Sequence, residues 1–280
     1  MIDSGLRQIL ALNNMDESLR KLYKAISCGK SSLAFSLSKA HRAHIAGSLD
    51  KFVLYVAKDM IDMTKSYSYL QSYFGDRVAM LRGNDDLLIH RKTSSKSSVG
   101  AKAKTLKKIL DGEIDCCIVS PQELLQYFAK PNRLDSAFIS LHKGDNVEPF
   151  ELAQKLSSLG YTREESVEEK NTFSLKGDIL TVFCSDMDMP IRISFWGDEI
   201  EYIKTFDPDS LITLGEVLEV AIPPNNDFLW TKDEVDEGVK SARKDIDRLA
   251  GESYYHASEI VDSFAFRDTF GQEVQWLLPY

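Results

Sequence analysis

The chain has 280 residues, 43 % of them apolar, and its 43 Asp and Glu outnumber 34 Lys and Arg for a formal net charge of -9. That length accommodates two domains of ordinary size, or one domain interrupted by another, while the acidic balance argues against whole-molecule attraction to DNA, RNA or an anionic membrane and favours a protein partner. No run approaches the roughly 18 apolar residues of a membrane span, and the opening MIDSGLRQIL carries no signal-peptide pattern, so a soluble cytoplasmic chain without membrane contact is expected.

Residues 18–26 are predicted helical. Two apolar runs, 32–37 (SLAFSL) and 52–57 (FVLYVA), are expected as buried strands on either side of a helical AHRAHIAGSL. Further apolar runs at 78–81, 114–119 and 137–141 alternate with helices near 59–72, 101–110 and 121–128. Strands alternating with helices predict an α/β fold with a mainly parallel sheet covered on both faces. After Asn146 the rhythm changes: a helix over 149–159 precedes closely spaced strands that end near Ile222, with turn signals at Gly177-Asp178 and Gly197-Asp198. This is the pattern of a small α+β unit. Pro223-Pro224 marks a boundary, beyond which Val235, Val239, Ala242, Ile246 and Leu249 recur at helical spacing and predict an amphipathic helix over 231–249. The expected domains are residues 1–140, an inserted α+β domain at 141–223, and 224–280 returning to the first. The closing QEVQWLLPY has no polar tail and reads as cut from a longer polypeptide.

The four cysteines, Cys28, Cys116, Cys117 and Cys184, give neither a CxxC pair nor a disulfide framework, and read as small buried or neutral residues rather than metal ligands. His41 and His44 stand three apart on a predicted helix with no recognisable third ligand, which fits a solvated helix face. Between Leu88 and Leu110 there are seven Lys or Arg and no Asp or Glu. The 91–108 stretch is a candidate DNA tether, but without aromatics to stack bases it reads first as a mobile, solvated loop.

Gly29-Lys30-Ser31 ends like the phosphate-binding motif GxxxxGK[ST], but here a helix precedes and a strand follows, the reverse of the order that places helix N-terminal amides around a phosphate. The turn with the appropriate context is 36–43, SLSKAHRA, and it has none of the motif's glycines. Side chains at Ser36 and His41 obstruct a positive-φ, close-approach backbone, Arg42 stands where Lys belongs, and Ala43 lacks the hydroxyl that holds magnesium. Ser36, Lys39, His41 and Arg42 therefore mark a degenerate nucleotide loop. No catalytic residue, cofactor or metal site is expected.

In PIRISFW, strand parity turns Ile191, Ile193 and Phe195 inward and Arg192, Ser194 and Trp196 outward; in FSLK it turns Phe173 and Leu175 inward and Ser174 and Lys176 outward. Arg and Trp dominate many protein interfaces. The alternative for Trp196 is a core position in a two-sided sheet.

From residue 32 to 280, and most closely in FSLKGDILTVF, PIRISFWGDEIEYIKTFDPDS and LGEVLEVAIPP, the sequence resembles the N-terminal UvrB-like module of the bacterial transcription-repair coupling factor family (Mfd). The likeness extends in part to UvrB, which keeps a complete glycine-rich phosphate loop where this chain has SLSKAHRA. The resemblance implies a degenerate P-loop helicase-type α/β fold with an inserted α+β domain that recruits UvrA, the damage-recognising ATPase of nucleotide excision repair. In that family UvrA is held by two basic residues and one aromatic on the exposed sheet, positions that correspond to Lys176, Arg192 and Trp196. The first basic position is usually Arg, and Lys176 gives up its bidentate fork; the aromatic is usually Phe, whose apolar anchor Trp196 preserves or enlarges. The resemblance further implies a recruitment module without ATPase activity of its own. RNA polymerase and DNA would be reached only through downstream domains absent from these residues, and the UvrA surface would be masked until a stalled polymerase is engaged. The competing reading is a UvrB-like, nucleotide-dependent DNA remodelling protein that binds phosphate near Lys39 and Arg42.

Overall fold

The computed structural model describes residues 16–82, 99–125, 128–226, 229–248 and 251–265. They form two compact units, one made of the described residues up to 82 together with 105–125, the other of 99–104 together with those from 128 onward. The architecture is mixed α/β, with parallel and antiparallel sheets.

The first unit runs α1 (Glu17–Ser27), α2 (Lys39–Gly47), β1 (Val53–Val56), α3 (Met60–Phe74), β2 (Val78–Met80), the end of α4 (Val99–Leu110), β3 (Cys116–Val119) and α5 (Pro121–Leu124). Side-chain caps start the helices: Asp16, Ser38 and Asp59 each accept from backbone N–H groups of the first turn that have no partner within the helix. The sheet is parallel in the order β1-β3-β2, with Val53 and Val78 both opposite Cys116. Every residue of β3 is buried because the strand is covered on both faces. Cys116 and Ile118 join Ala43, Ala46, Met63 and Leu70 of α2 and α3, while Cys117 and Val119 meet Leu81, Leu106 and Ile109. This accounts for a strand whose apolar residues do not alternate with polar ones.

Two of the expected strands here differ. Residues 32–37 form no strand, and Leu33 and Phe35 are 79 % and 77 % exposed. A ladder partner makes a strand, and among the described residues this run has none, so apolar composition alone is insufficient. β1 does form, but it pairs along one edge with β3 and leaves Leu54 and Val56 each 49 % exposed instead of buried.

The second unit contains α6 (Pro131–Ala137), β4 (Ile139–His142), α7 (Pro149–Ser158), β5 (Thr162–Arg163), β6 (Thr172–Lys176), β7 (Ile179–Phe183), β8 (Ile191–Trp196), β9 (Glu199–Phe206), β10 (Thr213–Val217), β11 (Glu219–Ile222), α8 (Lys232–Ile246) and α9 (Glu252–Ala265). The 137–141 run, expected in the parallel sheet, instead ends α6 and begins β4, which pairs antiparallel with β11. That pairing lets Ile139, Leu141, Val220 and Ile222 join one core. The six-stranded sheet β10-β9-β8-β7-β6-β5 is antiparallel except where β5 meets β6. Lys176 opposite Ile179 and Trp196 opposite Glu199 leave the two-residue loops Gly177-Asp178 and Gly197-Asp198, whose glycines adopt φ of 57° and 62°. A positive φ at the first loop residue alone is the type II′ turn that suits strand twist. α7 lays Leu152, Ala153 and Leu156 on Phe173, Leu180, Val182, Ile191, Ile193 and Ile203.

The segment after β11 is tied back to the end of α7. Asn225 donates from its backbone N–H to the Leu159 carbonyl at 2.8 Å and from Nδ2 to that of Gly160 at 2.9 Å, and the buried Tyr161 hydroxyl donates to the Pro223 carbonyl at 2.9 Å. Gly160 has φ of 93°, and a Cβ there would stand 2.7 Å from the Asn225 carbonyl oxygen, so conformation and space both require glycine.

At the start of α8, Thr231 and Glu234 form a capping box, and Arg133 of α6 grips the Glu234 carboxylate with both terminal nitrogens. The Arg133 hydrogen bonds, aided by the Thr231 amide and hydroxyl, hold the Glu234 carboxyl down at about 2. Because the folded value lies below the ordinary value of 4.5, the associated stability is present above pH 4.5 and is lost as the pH falls toward 2. Melting curves of wild type and Glu234→Gln should therefore differ most above pH 5 and converge on approaching pH 2.

Candidate protein interface

Across the six-stranded sheet, one face packs on α7 and the other carries the residues that parity turns outward. Two cross-strand rows organise this outer face. Lys176, Ile179, Ser194 and Tyr202 form one, and Ser174, Thr181, Arg192 and Lys204 form the other. Trp196 lies one outward position beyond Ser194 on β8, next to the Gly197-Asp198 turn, and is 81 % exposed. With strands about 4.8 Å apart, Lys176 lies roughly 10 Å from the β8 backbone. The structure thus brings Lys176, Arg192 and Trp196 onto one face, and Trp196 is no core residue. Ser174 is on the same face but buried, its hydroxyl donating to the Glu165 carbonyl at 3.2 Å, while Thr172 donates to Glu169 at 2.6 Å. The 164–170 segment covers that edge and leaves the β7-β8-β9 portion open.

The open portion contains three residues that sequence reading missed. The Arg192 guanidinium carbon lies 4.5 Å from the centroid of the Phe206 ring, and the Lys204 ammonium lies 3.8 Å from that of Tyr202. Simple alternation along EIEYIKTF fails because the register shifts opposite Ser194 and Phe195, so that Ile200 and Ile203, three residues apart, both point inward. The extra residue resets the parity and turns Tyr202, Lys204 and Phe206 outward. The signal available in the sequence was the spacing of Ile200 and Ile203, incompatible with an unbroken two-residue period.

Of the nucleotide-loop residues, Lys39, His41 and Arg42 lie in the first turn of α2 and Ser36 just before it. Ser36 itself adopts a φ of 57°, the conformation that its side chain was expected to obstruct; no glycine is needed there. His41 Nδ1 pairs with the Ser38 hydroxyl at 3.1 Å, and Arg42 is exposed. The Lys39 ammonium is engaged at 2.5 Å by Asp62, whose carboxyl is held below its ordinary value by that bond and by the Lys58 amide. His44 is partly buried and meets the Tyr73 hydroxyl at 3.2 Å; burial, followed by the neighbouring His41, lowers its pKa.

The basic stretch 91–98, read as a mobile loop or DNA tether, lies outside the described residues, as do the opening and closing segments of the chain. In its helical continuation Lys102 is buried with its ammonium 4.8 Å from the Phe128 ring, Lys104 binds Asp186 at 3.0 Å, and Lys107 binds Asp111 at 2.8 Å. All four thiols are free. Burial pushes Cys116 and Cys184 up to about 12 and Cys117 up to about 11. Among the described residues, no cluster of three or more His, Cys, Asp or Glu could hold a metal ion, and no helix is long and apolar enough to cross a membrane.

A sheet with one packed face and one face offering cations and an exposed indole defines a domain suited to binding a macromolecular surface. Residues 139–228, from the first residue of β4 to just past β11, match the family model of the UvrB interaction domain. The chain is 30 % identical over 154 residues to UvrABC system protein B of Thermotoga maritima, covering 55 % of this chain and 23 % of that protein. It is 24 % identical over 219 residues to the protein of the same name from Pseudothermotoga lettingae, covering 77 % and 32 %. It is also 37 % identical over 106 residues to the transcription-repair-coupling factor of Myxococcus xanthus, covering 38 % and 9 %. The chain thus carries a UvrB-like module and spans less than a third of the length of these relatives.

Proposed function

We propose that this chain is a UvrA-recruiting interaction module of nucleotide excision repair, of the kind carried by transcription-repair coupling factors, and that it binds UvrA through Lys176, Arg192 and Trp196. The observation that carries the reading is Trp196, a large apolar side chain left 81 % exposed on the same sheet face as Arg192 in the matched segment. Arg192 and Lys176 pair with acidic groups of UvrA while the indole fills an apolar recess. The module works by binding, without nucleotide hydrolysis of its own, on a degenerate helicase-type scaffold. The engagement of Lys39 by Asp62 supports this, since one of the two cations near which a phosphate would sit already has a carboxylate. On this reading, RNA polymerase and DNA are contacted by other domains of such a protein.

Calorimetric titration with purified UvrA tests the proposal. Arg192→Ala should weaken binding at least about tenfold, the effect of removing one side of a charged interface pair. Lys176→Arg should tighten it severalfold by restoring a planar fork for a carboxylate. Unchanged affinity in Arg192→Ala would refute the assignment.

A further inference from the structure

We infer that Phe206 is a positioning residue for Arg192: its ring holds the guanidinium in the orientation in which the outer face presents it to a partner. The inference rests on the reading of this face as a UvrA-binding surface, and it adds a residue that does not itself touch the partner.

Phe206 ends β9 two positions beyond Lys204, and Lys204 stands directly opposite Arg192, so the ring and the guanidinium are diagonal neighbours on one face. The ring is 2 % exposed, yet among the described residues it is not part of the core cluster that packs between the sheet and α7. It is an aromatic buried on the outward side, beneath the Arg192 guanidinium at 4.5 Å. This arrangement has chemical consequences. A guanidinium lying on a π-face is attracted by the ring quadrupole and loses water from one flat side. Its N–H donors lie in its own plane and point away from the ring's centre, where a carboxylate can still take two of them. An arginine on a long flexible stem is thereby ordered before any partner arrives, which lowers the conformational cost of binding. Lys204 over Tyr202 repeats the device on the adjacent strand, so the open part of the face is a pair of cations on aromatic supports.

The test is Phe206→Met, which keeps the site apolar and removes the π-face, combined with Arg192→Ala in a double-mutant cycle read by UvrA titration. Phe206→Met is expected to weaken UvrA binding roughly five- to tenfold when Arg192 is present and to have almost no effect when it is absent. Phe206→Tyr, which keeps the ring, should bind within about twofold of wild type. Equal losses in both Arg192 backgrounds would make the ring a fold residue only and overturn the inference, as would unchanged affinity in Phe206→Met. If Arg192→Ala alone leaves affinity intact, the UvrA reading falls and takes this inference with it, an outcome distinct from the other two. An independent measurement needs no variant to fold: in the UvrA-free chain, NMR relaxation of the Arg192 Nε–Hε group should report an ordered side chain. Mobility equal to that of the exposed Arg248 would contradict the proposal.

Discussion

Trp196→Ala is expected to weaken UvrA binding by about 2 kcal/mol or more, roughly thirtyfold in Kd, while leaving the thermal transition within about a degree of wild type. The two readouts separate because of where the side chain sits. At 81 % exposure the indole gives little to the folded state, and surface positions of this kind usually shift stability by less than about 0.5 kcal/mol. A partner that buries it gains most of a tryptophan's apolar area and leaves an unfilled recess when it is removed. The flanking Gly197-Asp198 turn fixes the strand end from which the indole projects, and nothing in that turn depends on the ring. Trp196→Phe should recover most of the affinity, since a smaller ring still fills part of such a recess.

The second large effect concerns the scaffold. Phe173→Ala should destabilise the second unit by about 3–5 kcal/mol, the usual cost of truncating a buried phenylalanine to alanine. The ring is fully buried between the sheet and α7, in one cluster with Leu156, Leu180, Val182 and Ile193. Its strand neighbours are Val182 on β7 and Arg163 on β5, so relaxation into the void would have to move two strands at once. Differential scanning calorimetry should show the transition of this unit falling by about 10 °C or more. Loss of UvrA binding in this variant at low temperature, where the unit remains folded, would indicate that the outer face depends on more than its own residues.

Much of the second unit was legible because its residues obey strong local rules. Two Gly-Asp dipeptides between alternating runs give two-residue hairpins, and the period of two in PIRISFW and FSLK placed Arg192, Trp196 and Lys176 on one face. The helices over 149–159 and 231–249 were found to within a few residues from apolar spacing. The failures have identifiable causes. SLAFSL has strand composition without a partner strand, and pairing is a property of the whole sheet that a local window does not contain. Ala137 to Leu141 were assigned to the parallel sheet because their partner, Glu219–Ile222, lies some eighty residues away in sequence. Tyr202, Lys204 and Phe206 were hidden by one extra residue in β9, which inverts the parity from which an outward face is read. The helix Glu252–Ala265 was missed although Tyr254, Ala257 and Val261 recur at helical spacing and pack with the apolar stripe of α8.

The central claim is that the β7-β8-β9 face of the second unit is where UvrA binds, and hydroxyl-radical footprinting of the chain with and without UvrA addresses it directly. The account predicts that Trp196, readily oxidised in the free chain, becomes protected at saturating UvrA together with Tyr202, while the exposed Phe35 and Leu54 of the first unit keep their reactivity. Full oxidation of Trp196 in the complex, or protection confined to the first unit, would contradict it.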